Sequence, residues 1–132
     1  MKVFGIISLS LGFWLIGSTL EAQSVFDTWP ALKDFHGVMS QTFHPAEEGN
    51  LAPIKARSLE MYDKAMVLSK STAPAALNTK PIKMAVKELV KGSKSLHKLI
   101  KSPTATDAAI TNSLTALHDV FHKIVGLCRE EH

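Results

Sequence analysis

Cysteine is almost absent from this chain of 132 residues, because Cys128 is the only one. A single cysteine cannot form an internal disulfide, so no covalent cross-link stabilises the fold. The residue type leaves three roles open for Cys128. It is a small apolar residue of the core, a ligand, or the attachment point for another group.

Aromatic residues and clusters of charge are also scarce. Aromatic residues make up 7% of the chain, and the 15 basic residues are spread along it rather than grouped, with a net charge of +3. This distribution argues against a nucleic-acid partner. The sequence also has no glycine-rich phosphate loop, no nucleophile elbow and no Glu-x-x-His pair of the di-iron bundles. We therefore expect that the protein is not an enzyme.

Only one long apolar run is present, and it lies at the amino terminus. Lys2 precedes the run Val3–Ile16, and small and polar residues follow it. This is the layout of a secretory signal peptide, and the run is shorter than the roughly 20 residues of a membrane span. We predict a signal peptide over residues 1–24 and one domain over residues 25–132. The mature protein is then periplasmic or secreted, with no stable membrane span.

Proline and glycine divide the rest of the chain into four segments. The breakers are HPAEEGNLAP, STAPAALNTKP and KSPTATD, and no segment alternates with the period of a strand. Each segment has apolar residues at helical spacing, which predicts an all-α, antiparallel, up-down-up-down four-helix bundle. Thr28 or Asp27 can cap the first helix. The predicted helices run from about Thr28 to His44, Pro53 to Lys70, Pro81 to Lys101 and Ala105 to Arg129.

The first and last predicted helices contain histidines at positions that suit metal binding. His118 and His122 are four residues apart, so they share a helix face and two imidazoles can bind one metal ion. Antiparallel packing of the outer helices would place His36 level with His122, and Met39 level with His118. We predict a transition-metal site at His36, His118 and His122, with Met39 or Glu60 nearby, and zinc or copper as the ion.

Explanations of these histidines that involve no metal ion stay open at this point. The His-x-x-x-His spacing also arises by chance on helix surfaces. His36 lies on the apolar stripe of its helix, where a buried imidazole needs a partner. That partner is a metal ion, or else a hydrogen bond to Ser40, Tyr62 or a carboxylate.

The other histidines lie elsewhere in the chain. His44, Glu47 and Glu48 fall in the turn FHPAEEGN. They form a second, more exposed metal site, or they cap the next helix and solubilise the loop. His97 has no obvious partner, and we predict that it is a solvated surface residue.

The final eight residues, VGLCREEH, resemble the haem-attachment end of the cytochrome c-prime family. That family is a four-helix bundle whose last helix bears V-G-x-x-C-x-x-C-H. Here Cys128 and His132 match the first cysteine and the histidine, while Glu131 replaces the second cysteine and the Val-Gly pair lies one residue closer. The resemblance implies Cys128 as a single attachment point for haem and His132 as its axial ligand.

A related resemblance is to the b-type bundle cytochromes, which bind haem without a covalent bond. They use a methionine from the first helix and a histidine from the last, and Met39 with His118 matches that pattern. Three hypotheses result: a non-enzymatic metal-binding protein, a haem-binding electron carrier, and a structural or interaction module with incidental histidines. A homodimer is compatible with each of them.

Overall fold

The computed structural model describes residues 24–130, and this part of the chain is all-helical, with no strand. The predicted all-α class is confirmed. The signal peptide predicted over residues 1–24 lies, except for Ser24, outside the described residues, as does His132. The helices are α1 (Val25–Thr28), α2 (Pro30–Glu47), α3 (Ala52–Lys70), α4 (Lys80–Lys101) and α5 (Asp107–Glu130). A 3₁₀ turn, Ala75–Leu77, separates α3 from α4.

Each long helix packs against the next one in the chain, and α5 also contacts α1 and α2. Side-chain contacts show the direction of the first pair. The Trp29 indole, just before α2, donates to Ser71 Oγ just after α3 at 2.9 Å. Arg57, early in α3, donates to Gln41, late in α2, at 2.7 Å. Therefore α2 and α3 run in opposite directions.

The apolar stripes of the helices meet in one core. Isolated helices of this length are marginal in water, so burial of these stripes must stabilise them. Each fully buried side chain of leucine size contributes roughly 1.5–3 kcal/mol. Helices α4 and α5 approach closely at Gly92, where an added Cβ would lie 2.9 Å from Leu117 Cδ1. The largest fully buried side chains include Leu32, Phe35, Met39, Ile54, Met61, Leu89, Leu96 and Leu114.

The start of α2 differs from the prediction. Asp27 and Thr28 do not cap α2, because they belong to the short helix α1. The Thr28 hydroxyl donates to the Val25 carbonyl at 3.1 Å and is therefore engaged within α1. Trp29 occupies the cap position, and Pro30 begins the helix, where its missing N–H is not needed.

The end of α2 also differs, because the helix continues through Pro45 to Glu47 rather than ending at His44. Proline is tolerated when the carbonyl four residues earlier can be solvated, and that residue, Gln41, is exposed. A Schellman motif then ends the helix. The Asn50 N–H donates to the Pro45 carbonyl at 2.9 Å.

The same motif requires Gly49. Its N–H donates to the Ala46 carbonyl at 3.0 Å, and its φ of 85° lies in the left-handed region that favours glycine. The breaker in HPAEEGN is therefore the glycine, not the proline.

Threonines cap the last two long helices. The Ile82 N–H donates to Thr79 Oγ1 at 3.5 Å, and the Ala109 N–H donates to Thr106 Oγ1 at 3.1 Å. The second cap makes α5 begin at Asp107, two residues after the predicted start. Across residues 24–130, no helix has the length and apolarity needed to cross a bilayer.

Candidate functional site

A cleft of about 350 Å³ lies between α2 and α5, and four histidines line it. His36 and His44 come from α2, and His118 and His122 come from α5. Met39 lines the same cleft, although only 1% of its surface is exposed. The structure thus brings together four of the five residues predicted for the metal site. We call this space the histidine cleft.

His118 and His122 point at one another. Their Nε2 atoms are 3.1 Å apart, and the ring planes meet at 78° with centroids 4.4 Å apart. Two imidazole nitrogens that bind one tetrahedral ion at 2.0–2.1 Å lie roughly 3.3 Å from each other. The pair has the spacing of a two-nitrogen chelate. Without an ion, a neutral ring donates its N–H to the other ring.

Phenylalanine rings orient two of the histidines. Phe43 of α2 stacks on His118, with centroids 3.7 Å apart and planes 11° from parallel. The rings of Phe26 of α1, at 4.5 Å, and Phe121 of α5, at 5.5 Å, are nearly parallel to His36, and they lie 6.3 Å from each other. Stacking of this kind fixes the ring plane, so the direction of each ring nitrogen is restricted.

His36 has a different partner from those considered for it. Among the described residues its ring makes no side-chain hydrogen bond, whether to Ser40, to Tyr62 or to a carboxylate. Instead the half-buried ring stacks on Phe26, and Phe121 lies beside this stack. His36 also lines the histidine cleft.

Burial favours the neutral form of two imidazoles in the cleft. It lowers the pKa of His36 from 6.5, and the neighbouring His122 and His44 lower it further. Burial also lowers the pKa of His118, again with a contribution from His122, while the carboxylates of Asp119 and Glu47 act in the opposite direction. A lowered pKa favours the neutral imidazole, which is the form that binds metal ions.

A complete metal site is not formed by the side chains in their present positions. Within residues 24–130, no three His, Cys, Asp or Glu side chains are close enough to share one ion. His118 and His122 supply two nitrogens, and a third ligand requires rotation of a side chain such as His36.

Glu60, the fifth predicted residue, lies elsewhere. Its carboxylate binds Arg57 at 2.7 and 3.0 Å, and it does not line the histidine cleft. The Arg57 guanidinium lowers the pKa of Glu60.

The residues predicted for a second site lie at the end of α2. His44 Nδ1 is 3.1 Å from Glu47 Oε2, and both side chains are exposed. Glu48 is the exposed residue that follows α2. His44 and Glu47 belong to the last turn of the helix rather than to a loop, so their pairing is an i,i+3 helix contact.

Cys128 is fully buried in the hydrophobic core. Burial raises the pKa of its thiol to about 11, so the thiol is protonated at neutral pH. This environment matches the first of the three roles considered for it. The predicted haem ligand His132 lies outside the described residues.

The prediction that His97 is a solvated residue without a partner is wrong. Its Nδ1 is hydrogen-bonded to Ser58 Oγ at 2.9 Å, and Ser58 is buried. Ser58 lies on the apolar stripe of α3, and a buried hydroxyl at such a position requires a partner. The position of Ser58 on this stripe could therefore have indicated that a polar side chain lies opposite it.

The sequence-based prediction also missed part of the cleft lining. Phe26, Phe43, Phe121 and Arg129 line the histidine cleft and were not expected there. Phe43 and Phe121 lie on apolar stripes, which indicated burial but not contact with a histidine.

No family model, curated protein sequence or solved structure matches this chain significantly.

Proposed function

We propose that this protein is an exported, non-enzymatic, up-down-up-down four-helix bundle that binds one transition-metal ion in the histidine cleft. His118 and His122 form the chelating pair, His36 supplies a third nitrogen, and zinc or copper is the ion. The observation that supports this proposal most directly is the 3.1 Å separation of the two Nε2 atoms. That distance is close to the roughly 3.3 Å expected between two nitrogens on one ion.

The electrostatics of the cleft agree with this proposal. The lowered pKa values of His36 and His118 reduce the number of protons that an ion must displace at neutral pH. Met39 borders the cleft and offers a thioether, a soft ligand that would favour copper.

The exposure of the chelating pair indicates a role in storing, buffering or sensing metal. His122 is exposed and His118 is partly exposed, so an ion bound there can exchange with solvent. The apolar run before residue 24 supports export to the periplasm or secretion.

A haem-binding electron carrier is the second candidate. Met39 and His118 border the same cleft, as a b-type bundle cytochrome would require. In this case the chain would be related to the cytochrome c-prime superfamily, with CREEH as a degenerate attachment motif.

The test is a metal titration of the purified full chain. Zinc, copper and nickel are each titrated in competition with a chromophoric chelator, and haemin is titrated separately and followed by its Soret band. We expect one zinc or copper ion per chain. At an ion concentration of 100 Kd, binding stabilises the fold by about 2.7 kcal/mol. For a domain of this size that is roughly 10 °C in Tm.

Variants connect the binding to the cleft. His118→Ala and His122→Ala should each weaken binding by about 100-fold, because either change leaves one nitrogen of the pair. At the same ion concentration the rise in Tm then falls from roughly 10 °C to roughly 2 °C. His97→Ala is the matched control. It removes a partly buried histidine and its bond to Ser58, so it lowers stability without affecting the cleft. Equal metal affinity in all three variants would refute the metal site, and a stoichiometric Soret band would favour haem.

A further inference from the structure

A second and larger cleft, of about 740 Å³, lies along α4 on a different part of the surface. Its apolar lining includes Trp29 just before α2, Leu77 of the 3₁₀ turn, and Ile82, Val86 and Val90 of α4. The lining follows one face of α4 from Ile82 to Lys94. We call this cleft the α4 groove.

Four lysines border the α4 groove: Lys83, Lys87, Lys91 and Lys94. Their spacing of four, four and three residues places them on one face of the helix. All four are exposed, and no acidic residue lines the groove. Among residues 24–130, no carboxylate forms a salt bridge with any of them.

Two lysines elsewhere in residues 24–130 are paired with a carboxylate of another helix. Lys55 binds Asp107 at 2.8 Å, and Lys123 binds Glu88 at 3.2 Å. The α4 groove therefore combines an apolar wall with uncompensated positive charge. This combination is complementary to a molecule that has an apolar body and an anionic group.

The length and volume of the groove suit a small molecule. Twelve residues of α4 separate Ile82 from Lys94, which is about 18 Å along the axis. One leaflet of a bilayer core, which an acyl chain spans, is roughly 15 Å thick. The volume is also within the roughly 300–1,000 Å³ of small-molecule sites.

We propose that the α4 groove binds one molecule of a free long-chain fatty carboxylate. The acyl chain lies against Trp29, Val86 and Val90, and the carboxylate is placed among the lysines. Burial of the chain supplies most of the affinity, and the charge of the lysines selects the anion over a neutral amphiphile.

Trp29 provides a local readout. It lines the groove, and its indole is held by a hydrogen bond to Ser71. The chain has two tryptophans, so the experiment uses the full chain with Trp14→Phe, in which Trp29 is the only one. Its fluorescence is titrated with a dibrominated stearate below the micelle concentration. Bromine quenches an indole only at contact range, so saturable quenching with one molecule per chain is expected.

Matched variants test the lysines. The double variant Lys87→Glu/Lys91→Glu reverses two charges at the groove, and Lys98→Glu/Lys101→Glu reverses two exposed charges later in the same helix, outside the lining. We expect the first variant to weaken stearate binding by at least about tenfold, and the second to change it less than about twofold. The neutral dibrominated alcohol should bind the unaltered groove at least about tenfold more weakly than the carboxylate.

Several results would overturn the proposal. These are the absence of saturable quenching, equal binding of the alcohol, and equal loss in both double variants. Binding only to anionic vesicles would assign the lysines to a membrane surface instead. A last variant replaces apolar residues of the run Val3–Ile16 by polar ones. If quenching develops only in this variant, the groove is assigned to the chain's own amino-terminal segment.

Discussion

Two buried serines on neighbouring helices should respond in opposite ways to replacement by alanine. Ser58 of α3 is 3% exposed and Ser93 of α4 is 1% exposed. Ser58 Oγ is hydrogen-bonded to His97. Ser93 Oγ has no hydrogen-bond partner among residues 24–130. The same chemical change therefore removes a satisfied hydroxyl at one position and an unsatisfied one at the other.

The magnitudes follow from this difference. A buried hydroxyl without a partner costs about 1–3 kcal/mol, and alanine adds up to about 0.5 kcal/mol of helix propensity. We expect Ser93→Ala to raise the free energy of unfolding by about 1–2 kcal/mol. Ser58→Ala gains the same propensity but loses a hydrogen bond with a net value of about 0.5–1.5 kcal/mol, and it leaves the partly buried His97 ring without a partner. We expect a loss of about 0.5–1 kcal/mol.

Urea unfolding followed by far-UV circular dichroism measures both effects. The m-value should be unchanged, so the midpoints report stability directly. A separation of about 2 kcal/mol between the variants corresponds to roughly 8 °C in Tm. A double-mutant cycle of Ser58→Ala with His97→Ala should give a coupling energy of about 0.5–1 kcal/mol. If both serine variants shift the midpoint in the same direction by similar amounts, the reasoning from hydrogen-bond satisfaction is refuted.

Three further predictions concern pH, glycine and the thiol. The folded-state pKa values of His36 and His118 are lowered below the unfolded value of 6.5. Their contribution to stability is therefore complete above pH 6.5 and is lost as the pH falls through the folded pKa values. The urea midpoint should be lower at about pH 5 than at about pH 7.5, and this difference between the two midpoints should be smaller in His36→Phe. Gly37→Ala, with nothing within 4 Å of the added Cβ, should stabilise by about 0.5–1 kcal/mol, whereas Gly49→Ala, at φ 85°, should destabilise by about 1 kcal/mol in the same assay. Cys128, with its pKa raised to about 11 by burial, should react with a thiol-specific disulfide reagent only after unfolding, and rapid reaction of the folded chain would contradict its burial.

Long helices with a regular apolar stripe could be predicted from the sequence almost to the residue. The second and third predicted segments, Pro53–Lys70 and Pro81–Lys101, differ from α3 and α4 by one residue at the start. Their signals agree, because a proline lies in the first turn of each helix and the apolar period continues to the last turn. Local preference and tertiary burial favour the same structure in these two helices.

The boundaries of α2 could not be predicted in the same way, because separate local signals competed there. Asp27 and Thr28 are good capping residues, yet α1 uses them first. Pro45 is a residue type that usually ends a helix, but α2 continues through it, and Gln41, four residues earlier, is exposed. Which signal prevails depends on burial, and burial is a property of the fold rather than of the segment.

The position of the candidate site along the helices could be predicted, but the contacts within it could not. Spacing alone indicated that His118 and His122 share a face, and each is found in the histidine cleft. Spacing did not indicate that Phe43 covers the His118 ring, or that Arg57 engages Glu60. Contacts of this kind depend on rotamers and on the packing of neighbouring helices, which one-dimensional periodicity does not contain.

The His36 ring shows why aromatic packing and metal binding are not competing explanations. A phenylalanine contacts the face of an imidazole, whereas a metal ion binds a nitrogen at its edge. Phe26 stacks on the His36 ring with centroids 4.5 Å apart, and Phe121 lies beside this stack, because its centroid is 5.5 Å from His36 and 6.3 Å from Phe26. Stacking of this kind occupies the face of the ring and not its edge, so it does not by itself prevent the proposed metal binding. Burial in the same packing lowers the pKa of His36, which favours the neutral form that a metal ion requires.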